Sequence, residues 1–508
     1  MSNGGDEWIG VLGGGQLGRM FSLNARRMGF KVLTWTGGDR SGAAATADEL
    51  LNLPFDDPKA LEVFTSRVKV ATVEFENLPS NTLEAVEQRI PLYPNSLAVS
   101  TCQHREREKS FLSENGFACA PFRIAKDLLS FKAGIAALET DVIVKTAEFG
   151  YDGKGQLKLS RDSKDSVLEE AWLKFDGGRV VIEECISLDV ELSVIVARNT
   201  MGEVVCYDPV ENIHRNHILD LSIVPARIPE EILQQAESVA LAIADAFQYV
   251  GTLAVEFFLS SDGRLIVNEI APRPHNSGHH TINACSCSQF ENQVRAIMGL
   301  PLGSTDLLSP VAMMNLLGDV WPDVRTAPDW SNILSMSGTS LHIYGKREAR
   351  IGRKMGHVSF LGTDQEEILQ KVNKAREFLN LPKSIECAGF PIREYDLKIP
   401  SNLTAEQILV RSGNIGSVRI AQKIGENNFK IFLEKIGVIG DINFDIEEVA
   451  IHKDFSMGKC KLATASFGHG ISTTLLQLAK GYSVISNGGY TVNPKLIFKD
   501  FEKVQNEK

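Results

Sequence analysis

The sequence predicts an α/β protein of several domains, and three observations lead to this prediction. Residues 8–35 alternate as strand, glycine-rich turn, helix and strand, an order typical of a parallel sheet covered by helices. Residues 252–271 contain two apolar runs separated by the turn sequence SSDGR, which indicates a β-hairpin. The length of 508 residues is too great for one compact core and favours about three domains.

Composition and charge exclude several classes of function. The chain is 43% hydrophobic and 23% charged, as ordinary soluble globular proteins are. Its net charge of −11 argues against nonspecific binding to nucleic acid and against docking on an anionic membrane. No apolar run is long enough to span a bilayer, and no secretion signal is evident. The eight scattered cysteines predict free thiols in a cytoplasmic protein.

The first strand–turn–helix unit contains Gly13, Gly15 and Gly18, which satisfy the GxGxxG pattern of dinucleotide-binding folds. A dinucleotide needs an acid at the tip of the second strand to hold the ribose. That strand ends Leu-Thr-Trp-Thr, and Asp39 arrives only after two glycines, so the sequence disfavours a dinucleotide. The turn is still expected to place free N–H groups at a helix N-terminus, which suits a phosphate or another polar ligand.

A second group of polar residues follows a later strand of the same region. Glu74, Glu76 and Asn77 lie at the end of this strand, just before a helix. Ligands of open α/β sheets gather at such carboxyl ends. Alternatively, Asn77 or Ser80 simply caps the helix. The charged run at 105–109 that follows is expected to be mostly a solvated helix face with salt-bridged neighbours.

The predicted hairpin carries Glu256 on one strand and Glu269 on the other. Antiparallel pairing would bring the two carboxylates face to face. They could be ordinary solvated acids, but both lie inside apolar strands, where an unpaired charge is costly to bury. Because Mg²⁺ seldom needs more than two protein carboxylates when phosphates supply the remaining ligands, the pair predicts a magnesium site.

Two further segments indicate a nucleotide. Lys145 ends a β-branched run and is followed by a glycine-rich turn that contains Lys154. Glycine N–H groups and lysine charges suit phosphate oxygens, although this is not a Walker loop and a flexible hairpin tip would have the same composition. The later residues 183–186 could present backbone groups and an apolar side chain to an adenine, with Glu191 reaching a ribose.

The order of these motifs resembles that of the ATP-grasp enzymes. The combination of GYDGKGQ with APRPHNSGH is similar to that of one family among them, the N5-carboxyaminoimidazole ribonucleotide synthases of purine biosynthesis. The resemblance covers roughly the first three quarters of the chain. It is carried by Lys145, GYDGKGQ at 150–156, EECI at 183–186, Glu191, His214, Glu256 and NEIAPRPHNSGH at 268–279.

The resemblance implies an ATP-grasp fold with three successive parts. These are an N-terminal Rossmann-like pre-ATP-grasp domain at 1–105, an ATP-grasp domain of two α+β subdomains at 106–302 and a small β-rich closing domain at 303–382. It also implies ATP and Mg²⁺ as cofactors, bicarbonate as co-substrate and a homodimer. The expected partners are small-molecule substrates, with no nucleic acid and no membrane.

The resemblance also assigns site residues. ATP would contact Arg105, Lys145, Gly150, Tyr151, Asp152, Gly153, Lys154, Gly155, Gln156, Glu183, Glu184, Cys185, Ile186, Glu191, His214, Asn268 and Glu269. The ribonucleotide side would use Gln16, Leu17, Glu74, Glu76, Asn77, Arg353 and Lys354. The catalytic group would comprise Arg273, His275, Asn276 and Lys346, and the metal would bind Glu256 and Glu269. His275 would handle the proton of the reacting amine, or would only orient Arg273 or the ribonucleotide.

The implied reaction is an ATP- and bicarbonate-dependent carboxylation of 5-aminoimidazole ribonucleotide through carboxyphosphate. Two alternatives remain open. One is another ATP-grasp ligase, such as a formate-dependent glycinamide ribonucleotide transformylase; the segments Glu74-Phe75-Glu76 and HNSG favour the aminoimidazole substrate. The other is an inactive fusion protein.

The last part of the chain, residues 383–508, resembles an incomplete transpeptidase domain of penicillin-binding proteins. Ser412-Gly413-Asn414 matches the SxN motif of that class. The reaction also needs a nucleophilic Ser in SxxK and a KTG motif, but the synthase-like stretch just upstream lacks SxxK, and no KTG follows before Lys508. The SxxK at 456–459 stands after the SxN and is interpreted as chance. We therefore expect a mostly helical, catalytically silent segment that is loosely associated with the rest and derives from a gene fusion.

Overall fold

The computed structural model describes the following residues: 7–38, 45–148, 155–175, 178–215, 217–381, 385–387, 390–392, 403–440, 461–468, 471 and 473–492. The chain divides into two compact units, residues 1–380 and residues 381–508.

The first unit begins with a four-stranded parallel sheet in the order β3-β2-β1-β4. Its apolar strands are almost wholly buried because helices cover them, as parallel sheets require. The α/β prediction for this region is confirmed. The elements are β1 (Trp8–Leu12), α1 (Gln16–Arg27), β2 (Lys31–Trp35), β3 (Glu49–Leu51), α2 (Pro58–Arg67), β4 (Val70–Val73), α3 (Ser80–Glu87) and α4 (Ser96–Cys102).

A second, antiparallel sheet of four strands follows, in the order β5-β8-β6-β7. Its core includes Phe131 and Trp172, whose ring centroids lie 5.3 Å apart. A capping box formed by Asp127 and Ser130 begins α6. The elements are α5 (Arg105–Glu114), β5 (Phe122–Ala125), α6 (Leu128–Ala136), β6 (Val142–Thr146), β7 (Gln156–Leu159), α7 (Asp165–Leu173) and β8 (Val180–Glu184).

The largest sheet is antiparallel, in the order β14-β13-β9-β11-β12-β15-β17-β16, with β10 paired to β9. The first strand of the predicted closing region, β15, pairs directly with β12, so no break in the sheet separates that region from the preceding one. The strands are β9 (Leu188–Arg198), β10 (Val204–Cys206), β11 (Val210–Arg215), β12 (Ile218–Val224), β13 (Gly251–Ser260), β14 (Leu265–Ala271), β15 (Val311–Leu317), β16 (Thr339–Ile343) and β17 (Lys354–Leu361).

Helix α8 packs against this sheet through the small residues Ala236, Ala240 and Ala244, spaced one helical turn apart. Short 3₁₀ helices at Asn276–His280 and Gly318–Val320 follow β14 and β15. The helices of this part are α8 (Glu230–Ala246), α9 (Thr281–Ala284), α10 (Gln289–Ile297), α11 (Ser331–Leu334) and α12 (Gln365–Phe378).

The second unit is mostly helical in its described residues, as predicted. Its two short strands pair with each other, and Ser412 and Asn414 lie at the turn between two of its helices. The SxxK at 456–459 lies outside the described residues. The elements are β18 (Ile385–Cys387), β19 (Phe390–Ile392), α13 (Ala405–Val410), α14 (Asn414–Ile424), α15 (Glu426–Lys435), α16 (Lys461–Ala465) and α17 (Leu475–Ser486).

Two further expectations concern membrane-spanning helices and the state of the cysteines. In the described part of the chain, no helix is long and apolar enough to cross a membrane. The six cysteines found there are free thiols: Cys102, Cys119, Cys185, Cys206, Cys285 and Cys287.

Candidate active site

The two predicted metal ligands are direct register partners on β13 and β14. The register shifts by one residue immediately beside Glu256, so Asn268 is the extra residue of a β-bulge next to Glu269. Burial and then the negative charge of Glu256 raise the pKa of Glu269. Two carboxylates that repel each other in this way form a site that a cation would stabilise.

The donor set limits which cation fits. Within the described ranges, no group of three or more His, Cys, Asp or Glu side chains is arranged to hold a metal ion. A pair of carboxylates suits a hard cation that takes its other ligands from phosphate and water. The residues present therefore fit Mg²⁺ bound together with a nucleotide.

His275 binds Glu256 directly: its Nε2 lies 3.0 Å from Oε1 of the carboxylate. Burial raises the pKa of Glu256, but the hydrogen bond from His275 and its charge outweigh burial and lower that pKa to about 2. The other ring nitrogen, Nδ1, accepts from the Ser277 N–H at 3.4 Å and lies 2.9 Å from the Ser277 hydroxyl. Since an N–H group can only donate, neutral His275 carries its proton on Nε2.

Both nitrogens of His275 are thus in use. A role in accepting the amine proton would require one of these contacts to break first. The alternative role, in which His275 orients Arg273, finds no support in the described hydrogen bonds, because the ring contacts Glu256 and Ser277 instead.

A chain of buried polar side chains continues from Ser277 into the sheet. Ser193 donates to the Ser277 hydroxyl at 2.7 Å and accepts from the Asn212 amide at 2.8 Å. Ser222 donates to the Asn212 carbonyl oxygen at 2.9 Å. These residues were missed by the sequence analysis; small polar residues on apolar strands β9, β11 and β12 were the available signal.

Arg273 is held by Glu76 through two parallel hydrogen bonds, of which the one from Nη2 to Oε1 measures 3.2 Å. Burial raises the pKa of Glu76, but the charge of Arg273 and its hydrogen bonds lower it to about 2. The ion pair joins the end of β4 to the segment after β14. Nearby in sequence, the Asn276 Nδ2 atom is buried without a hydrogen-bond partner among the described residues, as expected of a group that binds a ligand.

The glycine turn after β1 differs from the prediction. The carboxylate of Glu74 accepts from the N–H of Gly15 at 2.8 Å and from that of Gly18 at 3.1 Å. The expectation that these two groups are free to bind a phosphate is therefore wrong: a side chain of the protein occupies them. Burial raises the pKa of Glu74. Gln16 and Leu17 begin α1 directly beside this carboxylate.

The alternative explanation of the segment after β4 is also wrong. Helix α3 has Pro79 as its N-cap, and no side chain caps it. Asn77 is exposed and, together with Glu76, Arg105 and Glu269, lines a cavity of about 30 Å³. Nη1 of Arg105 lies 3.8 Å from Oε2 of Glu269. The polar residues after β4 thus face the predicted metal and nucleotide residues rather than the helix.

Lys145, on β6, binds the buried carboxylate of Glu183 at 3.1 Å, and Lys109 binds the same oxygen at 3.3 Å. Burial raises the pKa of Glu183, but the two lysines lower it to about 2. The expected solvated face at 105–109 is wrong, because only Arg107 of these five residues is exposed and both Glu108 and Lys109 are buried. Glu108 and Lys109 are buried because they contact β14, and the charge pattern of residues 105–109 gives no sign of that contact.

The predicted adenine and ribose contacts lie at the end of β8 and on the large sheet. The Glu184 side chain accepts from the Glu139 N–H at 2.8 Å, and Cys185 and Ile186 follow as partly buried residues. Nδ1 of His214 lies 2.8 Å from Oε2 of Glu191. Burial lowers the pKa of His214, but the hydrogen bond to Glu191 outweighs it, and the net pKa is raised.

Part of the predicted phosphate loop lies outside the described residues: Gly150, Tyr151, Asp152, Gly153 and Lys154. Gly155 is described, with a φ of +70°, and a Cβ there would lie 2.6 Å from Oγ1 of Thr146. Glycine is therefore required at this end of the loop. Gln156 begins β7.

The three predicted basic residues of the closing region differ in their surroundings. The ammonium group of Lys346 lies 5.8 Å from the centroid of the Tyr344 ring, and its charge favours the ionised form of Glu74. Lys354 similarly favours the ionised form of Glu256. Arg353 donates to the carbonyl of Glu348 at 2.9 Å. Lys346 and Lys354 thus act electrostatically on the predicted substrate and metal residues.

A larger cavity, of about 700 Å³, is lined by α4, α5 and the end of α8. It contains none of the predicted site residues, so cavity size does not identify the site.

Comparison with known families agrees with this arrangement. Residues 7–103 match the ribonucleotide synthetase preATP-grasp domain, residues 110–290 the ATP-grasp domain, and residues 311–371 the phosphoribosylaminoimidazole carboxylase C-terminal domain. The N5-carboxyaminoimidazole ribonucleotide synthase of Bacillus subtilis (strain 168) is 40% identical over 364 residues, which are 72% of this chain and 94% of the relative. The chain belongs to the N5-carboxyaminoimidazole ribonucleotide synthase family.

Solved structures of this family share the fold. An ADP complex of an N5-carboxyaminoimidazole ribonucleotide synthetase is 39% identical, with a TM-score of 0.68 over 74% of this chain and 97% of that chain. The Aspergillus clavatus synthase, solved with ADP and 5-aminoimidazole ribonucleotide, is 28% identical, with a TM-score of 0.66 over 74% of this chain and 100% of that chain. The predicted family, ATP-grasp fold and ligase class are confirmed.

The second unit is similar to a different family, as predicted. Residues 376–508 match the penicillin binding protein transpeptidase domain. The match supports a fusion of a synthase with a transpeptidase-like segment.

Proposed function

We propose that residues 1–380 catalyse the ATP- and bicarbonate-dependent carboxylation of 5-aminoimidazole ribonucleotide to N5-carboxyaminoimidazole ribonucleotide, in purine biosynthesis. The observation that carries the proposal is the pairing of Glu256 with Glu269. The pair lies near Arg273, and the chain belongs to the synthase family. The synthase relatives support the reaction, and the contacts described above support the roles proposed below.

ATP would lie between the two antiparallel sheets. Lys145 has its pKa lowered by burial, despite the opposing charge of Glu183; an approaching phosphate would favour its charged form. The Glu183–Ile186 segment would face the adenine, and Glu191 with His214 would face the ribose. Lys154 and the glycines of the loop would cover the phosphates and exclude water.

Glu256 and Glu269 would hold Mg²⁺, which when bound neutralises charge on the β- and γ-phosphates. His275 keeps Glu256 ionised and oriented for this purpose. Arg105 faces Glu269 and would approach the same phosphates.

On the other side of the site, Arg273 and Asn276 would hold bicarbonate. A bicarbonate oxygen attacks the γ-phosphorus and ADP leaves, giving carboxyphosphate. Carboxyphosphate releases phosphate and CO₂, the exocyclic amine nitrogen bonds to that carbon, and the amine proton passes to the released phosphate. Because carboxyphosphate hydrolyses readily, a closed, dry site is a chemical requirement. The ribonucleotide would be surrounded by the residues assigned to its side of the site and by Lys346: Gln16, Leu17, Glu74, Glu76, Asn77, Lys346, Arg353 and Lys354.

Release of ADP by the full chain tests this proposal. We expect ADP release to require both 5-aminoimidazole ribonucleotide and bicarbonate, to stop on chelation of divalent metal, and to fall at least a hundredfold in Glu256→Gln and Glu269→Gln. Glu237→Gln, on α8 outside the site, is the matched control. Stimulation by formate and glycinamide ribonucleotide instead would favour the alternative ligase, and no substrate-dependent release would favour an inactive fusion protein.

For the second unit we propose no transpeptidase activity, since the stretch just upstream of its SxN motif contains no SxxK nucleophile. Covalent labelling of the chain by a fluorescent penicillin would contradict this. We further propose a cytoplasmic homodimer without nucleic-acid partners. Sedimentation equilibrium tests the dimer: a monomer at micromolar concentration would refute it.

A further inference from the structure

Two adjacent residues of α5, Glu108 and Lys109, contact the backbone on both sides of Glu269. The Glu108 carboxylate accepts from the Ile270 N–H at 2.7 Å. Nζ of Lys109 donates to the Asn268 carbonyl oxygen at 3.2 Å. Both side chains are 2% exposed. The predicted metal ligand therefore lies between two peptide groups that are each held by a buried acidic or basic side chain from another element.

Two features explain why these peptide groups need partners: β14 is the edge strand of its sheet, and it carries the bulge. Asn268 is the inserted residue, and a bulge interrupts the regular ladder of backbone hydrogen bonds. Buried backbone groups must find other partners or cost free energy. Glu108 supplies an acceptor to one flanking group, and Lys109 supplies a donor to the other.

Lys109 also connects this strand to the phosphate side of the site. Its Nζ lies 3.3 Å from the Glu183 oxygen that binds Lys145 at 3.1 Å. One buried lysine thus contacts the backbone beside the predicted metal ligand and the partner of the predicted phosphate-binding lysine.

We propose that Glu108 and Lys109 are positioning residues that fix the bulge at Asn268 and so hold the Glu269 carboxylate in place for the metal–nucleotide complex. The proposal rests on the proposed function for the role of Glu269. Apolar side chains would be less costly to bury than two polar ones, but they could not satisfy the donor of Ile270 and the acceptor of Asn268. These two backbone contacts distinguish a positioning role of Glu108 and Lys109 from a role in packing alone.

Metal affinity measured without turnover provides the test. The full chain would be loaded with ADP, and Mn²⁺ binding would be followed by electron paramagnetic resonance of the free ion. Because loss of a group that orients a metal ligand typically weakens metal binding 10–100-fold, we expect Glu108→Leu and Lys109→Met each to raise the Kd for Mn²⁺ at least about tenfold. Glu108→Gln keeps an acceptor oxygen and should stay within about threefold of the unsubstituted protein. Arg107→Met, at the exposed position of the same helix, should leave the Kd unchanged.

A second readout separates positioning from general damage. ADP affinity in the presence of a chelator should be unchanged in Glu108→Leu, which touches only the metal side, and weakened in Lys109→Met, which also touches Glu183. Folded Glu108→Leu and Lys109→Met proteins that bind Mn²⁺ within twofold of the unsubstituted protein would overturn the proposal. If either variant does not fold, Glu108→Ser is measured instead, because its hydroxyl is too short to reach Ile270. Its Kd for Mn²⁺ should also rise at least about tenfold, and a Kd within twofold of that of the unsubstituted protein would also overturn the proposal.

The two proposals can fail separately. Mn²⁺ binding to the ADP complex involves neither bicarbonate nor the ribonucleotide. An unsubstituted protein that binds Mn²⁺ and ADP but shows no substrate-dependent ADP release would refute the proposed function, and the effects of Glu108 and Lys109 on the metal would still be decided.

Discussion

Nε2 of His275 donates to Oε1 of Glu256 across 3.0 Å, while Nδ1 of the same ring faces Ser277. A histidine in the predicted catalytic segment is therefore bound to a predicted metal ligand. Its first effect is to keep that ligand ionised, since the pKa of Glu256 is lowered to about 2 against the opposing influence of burial.

The tautomer of His275 can be observed directly. We expect neutral His275 to carry its proton on Nε2, because the Ser277 N–H occupies Nδ1. Nitrogen NMR of ¹⁵N-histidine-labelled protein, with assignment by His275→Gln, measures this. Ser277→Ala should keep the tautomer, since it retains the backbone donor. A signal of the Nδ1–H tautomer would refute the assignment.

Loss of His275 should make metal binding sensitive to acid. In the unsubstituted protein Glu256, with a pKa of about 2, stays ionised down to about pH 3. In His275→Ala, the hydrogen bond and charge that oppose burial most strongly are lost, so the pKa of Glu256 rises. We therefore expect Mn²⁺ affinity of the variant to fall as the pH decreases from 7 to 5, beyond any fall in the unsubstituted protein. The same pH dependence in both proteins would contradict this role.

Substitutions in the Arg273–Glu76 pair should affect stability and activity differently. Arg273→Met leaves Glu76 partly buried without its cation, and breaking such a pair costs about 3 kcal/mol. Adding Glu76→Gln removes the unpaired charge, so the double variant should recover most of the loss in calorimetric unfolding. ADP release should stay low in both, because Arg273 is proposed to hold bicarbonate. Recovery of activity in the double variant would argue against that role.

Two glycines of one turn provide a matched pair of substitutions. A Cβ at Gly15 would lie 2.5 Å from Oε1 of Glu74, whereas the nearest atom to a Cβ at Gly18 is 3.3 Å away. Gly15→Ala should displace Glu74 and raise the KM for 5-aminoimidazole ribonucleotide about tenfold or more, since small misplacements of positioning groups are costly. Gly18→Ala should change it much less. Equal effects in steady-state kinetics would show that Glu74 is not the sensitive group.

A cluster of buried histidines should make stability depend on pH. The rings of His279 and His357 are tilted by 40° with centroids 5.0 Å apart, and burial lowers the pKa of both. Burial also lowers the pKa of His280 to about 4. Because the unfolded state binds protons from about pH 6.5 downward while the folded state does not, stability falls with decreasing pH between about 6.5 and 4. His280 alone accounts for about 3 kcal/mol over that range.

Thermal unfolding at pH 7, 6 and 5 measures this dependence. His280→Gln should flatten it, whereas His217→Gln, at an exposed position, should not. If His280→Gln retained the full slope, the buried imidazole would not be its source.

Local patterns were sufficient for much of the site. The pairing of Glu256 with Glu269 was predicted because a turn sequence between two apolar runs fixes which residues can pair. Lys145 and Glu183 were assigned by the family resemblance, and their ion pair was not predicted. The same local view failed for Glu108 and Lys109. Consecutive charges on a helix normally face water, and their burial arises from contacts with β14, some 160 residues away. It failed similarly for the glycine turn, where Glu74 from a neighbouring strand occupies the N–H groups.

The sequence by itself determined the hairpin of acids, because a turn between two apolar runs fixes which residues can pair. Through the resemblance of its motifs it also determined the synthase family and the transpeptidase-like character of residues 383–508. Only the tertiary structure decided which partner each charged group takes: His275 with Glu256, Arg273 with Glu76, Glu74 with the glycine turn, and Lys109 with Glu183. The physical reason is that the free energy of a charge depends on its burial and on the atoms within a few ångströms. Those atoms come from segments that are distant along the chain.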